Sequence, residues 1–140
     1  MICPFCLHKK TKVYNSRSTK KLNETWRRRQ CLDCNKQFST RETVDLSTIL
    51  KINKTGKVKD FSLIRLMSDI SRAIDHLEDV DQKTYWLTQL VQQRLLVISS
   101  KTQGVVDIKE FTEICAAILK KYDYPAFIKY STANGLKVRR

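Results

Sequence analysis

The sequence predicts an α+β chain in two parts, a strand-rich first third tied together by cysteines and a mostly helical remainder. Three observations predict it. Four of the five cysteines fall in two CxxC pairs within the first 34 residues. The segments around them read as short strands with almost no helical period. From Leu63 onward, apolar residues recur at helical spacing instead.

A chain of 140 residues makes one ordinary domain or two small ones. Its 27 Lys+Arg against 14 Asp+Glu give a net charge of +13. That balance favours a polyanionic partner such as nucleic acid. Residues 1–45 hold 11 of the bases and 4 of the acids, so the first third carries more than half of the net charge. No apolar run approaches the roughly 18 residues of a membrane span. The Met-Ile-Cys-Pro start lacks the apolar region of a signal peptide. The expected address is the cytoplasm, with no membrane partner. In a reducing compartment, CxxC cysteines are metal ligands or redox centres before they are disulfides.

Taken in order, Lys12–Asn15, Thr25–Arg29 and Gln37–Thr40 are the strand-like runs of the first part. Thr48–Asn53 is the next strand, Lys54-Thr55-Gly56-Lys57 a turn, and Val58-Lys59-Asp60 the return of a hairpin. The first helix shows Leu63, Leu66, Met67, Ile70, Ala73, Ile74 and Leu77 on one face. A second covers about 82–98, with Trp86, Leu87, Leu90, Val91 and Leu95 inward. Gly104 marks a break. The third opens on a capping pair, Asp107 and Glu110, and carries a stripe from Ile108 through Cys115 to Tyr122. Pro125 suits the first turn of a short fourth helix. A basic tail from Gly135 is expected to fray.

Cys3-Pro-Phe-Cys6 and Cys31-Leu-Asp-Cys34 each form a tight turn that aims two sulfurs at one point. Together they close a tetrahedron of thiolates, which suits one structural Zn²⁺ and leaves no open position for catalysis. About 45 residues bury little apolar surface, so the metal supplies much of this segment's stability. The competing readings are redox dithiols and an iron site. A thioredoxin-type CxxC needs a βαβ context, which is missing here. Cys115 sits on an apolar helical stripe and reads as a small core residue.

Trp26-Arg27-Arg28-Arg29-Gln30 runs directly into Cys31. In a strand, Arg27 and Arg29 point one way and Arg28 the other. Guanidinium forks beside a rigid metal site match phosphate oxygens. Asn15 and Arg17 add donors of the type used at base edges. The alternative is a solvated charge run.

These residues resemble a known family. Cys3-Pro-Phe-Cys6, Asn15-Ser16-Arg17, Arg27-Arg28-Arg29-Gln30-Cys31, Cys34 and Phe38-Ser39-Thr40-Arg41-Glu42 are similar to the zinc ribbon of NrdR. That family comprises bacterial transcriptional repressors of ribonucleotide reductase genes. Its pattern runs CPxC, DSR, RRRRECxxC and RFTTxE, so Asn15 stands for the aspartate and Gln30 for the glutamate. NrdR continues into an ATP-cone, a small mostly helical domain that binds ATP or dATP. The cone's opening, VxKRDG with a later Phe, matches Ile52-Asn53-Lys54-Thr55-Gly56 and Phe61 in frame. Asp123–Thr132 resembles the family's LDxVAYVRFAS segment. The family's turn lysine aligns with Asn53, its arginine with Lys54, and its first-helix lysine with Arg65. Lys51 shares a strand face with Asn53 and is the substitute cation.

The expected architecture is a rubredoxin-like zinc ribbon over 1–46, an ATP-cone-like domain over 47–134 that begins with a β-hairpin, and a basic tail over 135–140. The resemblance implies a homo-oligomeric repressor of double-stranded DNA targets. It holds one Zn²⁺ on Cys3, Cys6, Cys31 and Cys34. It contacts DNA through Asn15, Arg17, Arg27, Arg28 and Arg29, and it responds to ATP or dATP at Lys51, Asn53, Lys54 and Arg65. The rival reading is an accessory subunit whose ribbon contacts protein or RNA, with a helical oligomerisation domain that takes no nucleotide. An enzyme is not expected, since no nucleophile is paired with a base and no Walker-type phosphate loop occurs.

Overall fold

The computed structural model describes residues 1–20 and 23–138. It divides into two compact units, Met1–Val44 and Asp45–Arg140. Among the described residues no helix is long and apolar enough to cross a membrane.

The first unit is an antiparallel meander of β1 (Thr11–Thr19), β2 (Glu24–Cys31) and β3 (Gln37–Thr43), in the order β1-β2-β3. The register between β1 and β2 slips between Val13 and Asn15. Tyr14 is thus an extra residue on β1, a β-bulge. Past it, Asn15 opposes Arg28, Ser16 opposes Arg27 and Arg17 opposes Trp26. The strands are longer than the sequence runs suggested, because main-chain pairing continues through polar residues that carry no apolar alternation.

The second unit combines four helices with a small sheet of order β5-β4-β6, against which α2 and α3 pack. Its elements are β4 (Lys51–Lys54), β5 (Lys57–Asp60), α1 (Leu63–Ala73), α2 (Val80–Ser99), β6 (Val105–Asp107), α3 (Ile108–Tyr122) and α4 (Tyr124–Ala133). The hairpin closes on Thr55 and Gly56, both at positive φ (51° and 82°), the pair of conformations that fits the twist of two strands. Asn53 Oδ1 accepts from the Gly56 amide at 3.1 Å and fixes this turn. β6, where the sequence shows only a break at Gly104, pairs in parallel with β4. Gly104 is what lets it do so. Its φ is +82°, and a Cβ there would lie 2.5 Å from the Ile49 carbonyl oxygen.

Caps set the helix starts. Ser62 accepts from Arg65 N, Asp107 from Lys109 N, and Asp123 from Ala126 N, each satisfying an otherwise orphaned amide. The core comprises Leu66, Ile70 and Ile74 from the α1 region, Leu87, Val91 and Leu95 from α2, Cys115 and Leu119 from α3, and Tyr130 from α4, with Leu46, Leu50, Phe61 and Val106.

Four expectations are corrected. The strand drawn over 48–53 begins only at Lys51, because Asp45 caps a 3-10 turn over Leu46–Thr48. Leu63 and Trp86 do not face inward; they are 40% and 43% exposed. The buried face of α2 runs through Thr84, Leu87, Thr88, Val91 and Leu95, and its two threonines made the apolar pattern misleading. The tail does not fray at Gly135. Gly135 takes φ +68°, the Leu136 amide donates to the Ser131 carbonyl at 2.9 Å, and Leu136 packs on the core. That is a glycine-terminated helix stop. Arg139 and Arg140 of that tail lie outside the described residues.

Candidate metal centre and nucleic-acid interface

The two CxxC turns are built alike. In each, the amide of the first cysteine donates five residues ahead: Cys3 N to His8 O at 2.9 Å and Cys31 N to Lys36 O at 3.0 Å. The amide two residues on donates to the first sulfur, from Phe5 to Cys3 Sγ at 3.4 Å and from Asp33 to Cys31 Sγ at 3.3 Å. The residue after the second cysteine is left-handed in both, Leu7 at φ 60° and Asn35 at φ 57°. Equal spacing thus yields equal geometry, and the turns present their sulfurs to one point.

The four ligand sulfurs all lie within 4.8 Å of one another. Cys3 and Cys34 are 3.7 Å apart, and Cys6 and Cys31 are 3.6 Å apart. A tetrahedral zinc with Zn–S near 2.3 Å requires sulfurs about 3.8 Å apart. The donor set therefore fits Zn²⁺, and the four cysteines form a zinc-binding site. The four sulfurs compete for ionisation, so Cys3 and Cys31 are lowered while Cys6 is raised. Burial raises the Cys3 thiol, but the Phe5 and Cys6 amides and neighbouring sulfurs outweigh it and bring it down to about 7. The His8 amide lowers Cys6, yet burial and the other three sulfurs push it up to about 12. A dication removes that conflict by taking all four as thiolates. Cys115 stands apart, buried in the second unit, with burial pushing its thiol up to about 12. It is a core residue.

Cross-strand partners share a face of the sheet. Asn15, Arg28 and Ser39 form one row across the three strands, and Arg17, Trp26 and Arg41 the next. Arg27 and Arg29 lie on the other face, opposite Thr40 and Phe38. The five basic-segment residues singled out from sequence are thus divided. Asn15, Arg17 and Arg28 come together, and Arg27 and Arg29 do not join them. Arg27 Nη2 is paired with Glu42 Oε2 at 2.8 Å, and Arg29 Nε donates to Thr40 Oγ1 at 3.3 Å. Sequence reasoning missed the Arg41–Glu24 pair at 2.7 Å, whose carboxylate is buried. It also missed the bulge, for which no residue pattern gives a signal.

In the second unit, Lys54 and Arg65 line one cavity of about 480 Å³ beneath the hairpin, together with Lys57, Lys59, Phe61 and Asp69. Lys51 and Asn53 alternate onto the opposite strand face, paired with Asp60 and Val58, and do not line it. Lys57 and Lys59, outside the expected set, oppose Lys54 and Ile52 across the hairpin and supply cations to the cavity. The signal was available in the two-residue alternation of β5.

Residues 1–42 match the model of a family described as transcriptional repressor NrdR-like, N-terminal domain. The chain is similar along most of its length to curated proteins named transcriptional repressor NrdR. That of Chlamydia muridarum is 33% identical over 131 residues, covering 94% of this chain and 84% of that protein. Those of Chlamydia trachomatis serovar D and Chlamydia felis are each 32% identical over 94% of this chain, covering 82% and 84% of their own lengths.

Proposed function

Because this chain belongs to the NrdR family of transcriptional repressors, we propose that it represses transcription by binding double-stranded DNA through its zinc ribbon. Its targets are ribonucleotide reductase genes, and its place of action is the cytoplasm. The observation that carries this reading is a four-cysteine centre adjoining a sheet face on which Asn15, Arg17 and Arg28 are exposed together. A metal site fixes the strand ends, so the cations are presented without an ordering cost at the moment of binding. One ribbon has a small footprint, and tight specific binding asks for paired chains on paired half-sites. A homo-oligomer follows.

The second unit is the regulatory half in this reading. ATP or dATP enters the cavity under the hairpin, and Lys54 and Arg65, supported by Lys57 and Lys59, meet the phosphates. Several cations on rigid elements are what a triphosphate requires. Asn53 holds the turn rather than the ligand. The nucleotide regulates by binding one assembly state better than another, with a coupling of about 1–3 kcal/mol. A gel-shift assay on the ribonucleotide reductase promoter of its own genome, with nucleotide-free, ATP-loaded and dATP-loaded chain, tests the whole reading. Retardation that depends on which nucleotide is loaded is expected. Equal retardation of promoter and unrelated DNA in all three states would refute it.

A further inference from the structure

The bulge at Tyr14 changes which side of the ribbon the first strand's polar residues occupy. In a regular strand, Asn15 would share a face with Val13, and Val13 opposes Arg29. The extra residue reverses the alternation, so Asn15 and Arg17 stand with Arg28 and Trp26 instead. A bulge next to a site commonly re-aims side chains in this way. Tyr14 is held in place by its hydroxyl, which donates to Gln37 Oε1 at 2.5 Å. Gln37 pairs with Gln30 on the same face as Arg28.

The two faces then differ in what they leave available. On the face with Arg28, the residues Lys12, Asn15, Arg17 and Arg28 are exposed. Among the described residues Lys12, Arg17 and Arg28 enter no ion pair. On the opposite face both arginines are half-buried and engaged, Arg27 with Glu42 and Arg29 with Thr40. Arginine forks and an asparagine amide are the groups that bind guanine and adenine edges in two-point fashion. Unengaged donors are the ones with that capacity to spare.

We propose that the ribbon reads DNA with one face only. Arg28, Asn15 and Arg17 are the specificity-determining row, Tyr14 is the positioning residue that assembles it, and Arg27 and Arg29 hold the sheet. This rests on the reading of the ribbon as a DNA-binding module. It divides a run of three consecutive arginines into one reader and two supports.

The test is fluorescence anisotropy of the zinc-loaded full chain, using a labelled promoter duplex and an unrelated duplex of equal length. Arg28→Ala and Arg17→Ala are each expected to weaken promoter binding roughly tenfold or more and to reduce the discrimination between duplexes. Arg27→Ala and Arg29→Ala are expected to leave affinity within about twofold while lowering the thermal midpoint of the ribbon. Tyr14→Phe loses the hydroxyl bond to Gln37 that holds the bulge and should reduce discrimination with one zinc still bound. If that variant loses zinc, the four single substitutions decide alone. A loss in Arg27→Ala or Arg29→Ala equal to that in Arg28→Ala overturns the one-face assignment and leaves the ribbon as a DNA-binding module. Unchanged binding in all four variants removes the module itself.

Discussion

Asn15 stands directly across from Arg28, with the bulged Tyr14 between it and Val13. Two residues 13 positions apart in sequence become neighbours on a sheet that, among the described residues, contributes no side chain to the hydrophobic core cluster. β2 ends at Cys31, and the Leu32 amide beside it donates to the Lys10 carbonyl just ahead of β1, so the end of the sheet is tied to the cysteine cluster.

That dependence gives the first prediction. Metal analysis of chain purified without added zinc should find about one zinc per chain, as four cysteines make one tetrahedral site. Cys31→Ser should lose it. Because structural zinc contributes on the order of 10 kcal/mol to such a module, this variant should lose the ribbon's chemical-shift dispersion. The helical signal at 222 nm should remain, since α1–α4 belong to the other unit. An ordered ribbon in metal-free protein would contradict the account.

Gly104 gives the second. A Cβ at this position meets the Ile49 carbonyl at 2.5 Å in a left-handed backbone. Gly104→Ala should therefore destabilise the second unit by about 2–3 kcal/mol, read as a shifted urea midpoint of the helical signal. Gly56→Ala offers the comparison, because nothing lies within 4 Å of its Cβ position and only the backbone strain remains.

The third concerns the hairpin. Lys54→Ala or Arg65→Ala should weaken ATP binding about tenfold, as expected for a lost charge-assisted contact, when measured by calorimetry. Lys51→Ala should leave it unchanged, since Lys51 lies on the strand face away from the cavity. Asn53→Ala should cost about 1 kcal/mol of stability through the lost turn bond. Equal losses in Lys51→Ala and Lys54→Ala would contradict this placement.

The fourth concerns acid. The Lys129 ammonium, bonded to Asp75 and helped by His76, holds that carboxyl below its ordinary value of 3.8, against the opposing effect of burial. A depressed carboxylate stabilises the fold above its unfolded value, and that contribution is lost as pH falls through the folded one. The urea midpoint of the helical unit should thus fall less steeply below about pH 4 in Asp75→Asn than in the parent. Parallel acid limbs would show that the pair contributes nothing.

The parts of this molecule that were legible in its sequence are those where residue type alone dictates geometry. Paired CxxC spacing announces the sulfur cluster. Thr55-Gly56 announces the hairpin turn, and Asp107 announces the start of the third helix. What escaped depends on partners distant in the chain. β6 exists only because Gly104 lets it approach β4, and three residues carry too little pattern to declare a strand. Trp86 falls in the apolar pattern of the second helix, yet α2 buries Thr84 and Thr88 in its place. Alternation correctly set Arg27 and Arg29 against Arg28. It gave no side to Asn15 and Arg17, because the bulge at Tyr14 reverses the alternation without any change in composition.

The most direct test of the account is one titration: anisotropy of the labelled promoter duplex with the zinc-loaded chain, with the same chain after chelation, and after zinc is restored. Tight binding that exceeds that to an unrelated duplex, is lost with the metal and returns with it is the predicted result. Promoter binding that survives removal of zinc would show that the ribbon is not the surface that reads DNA.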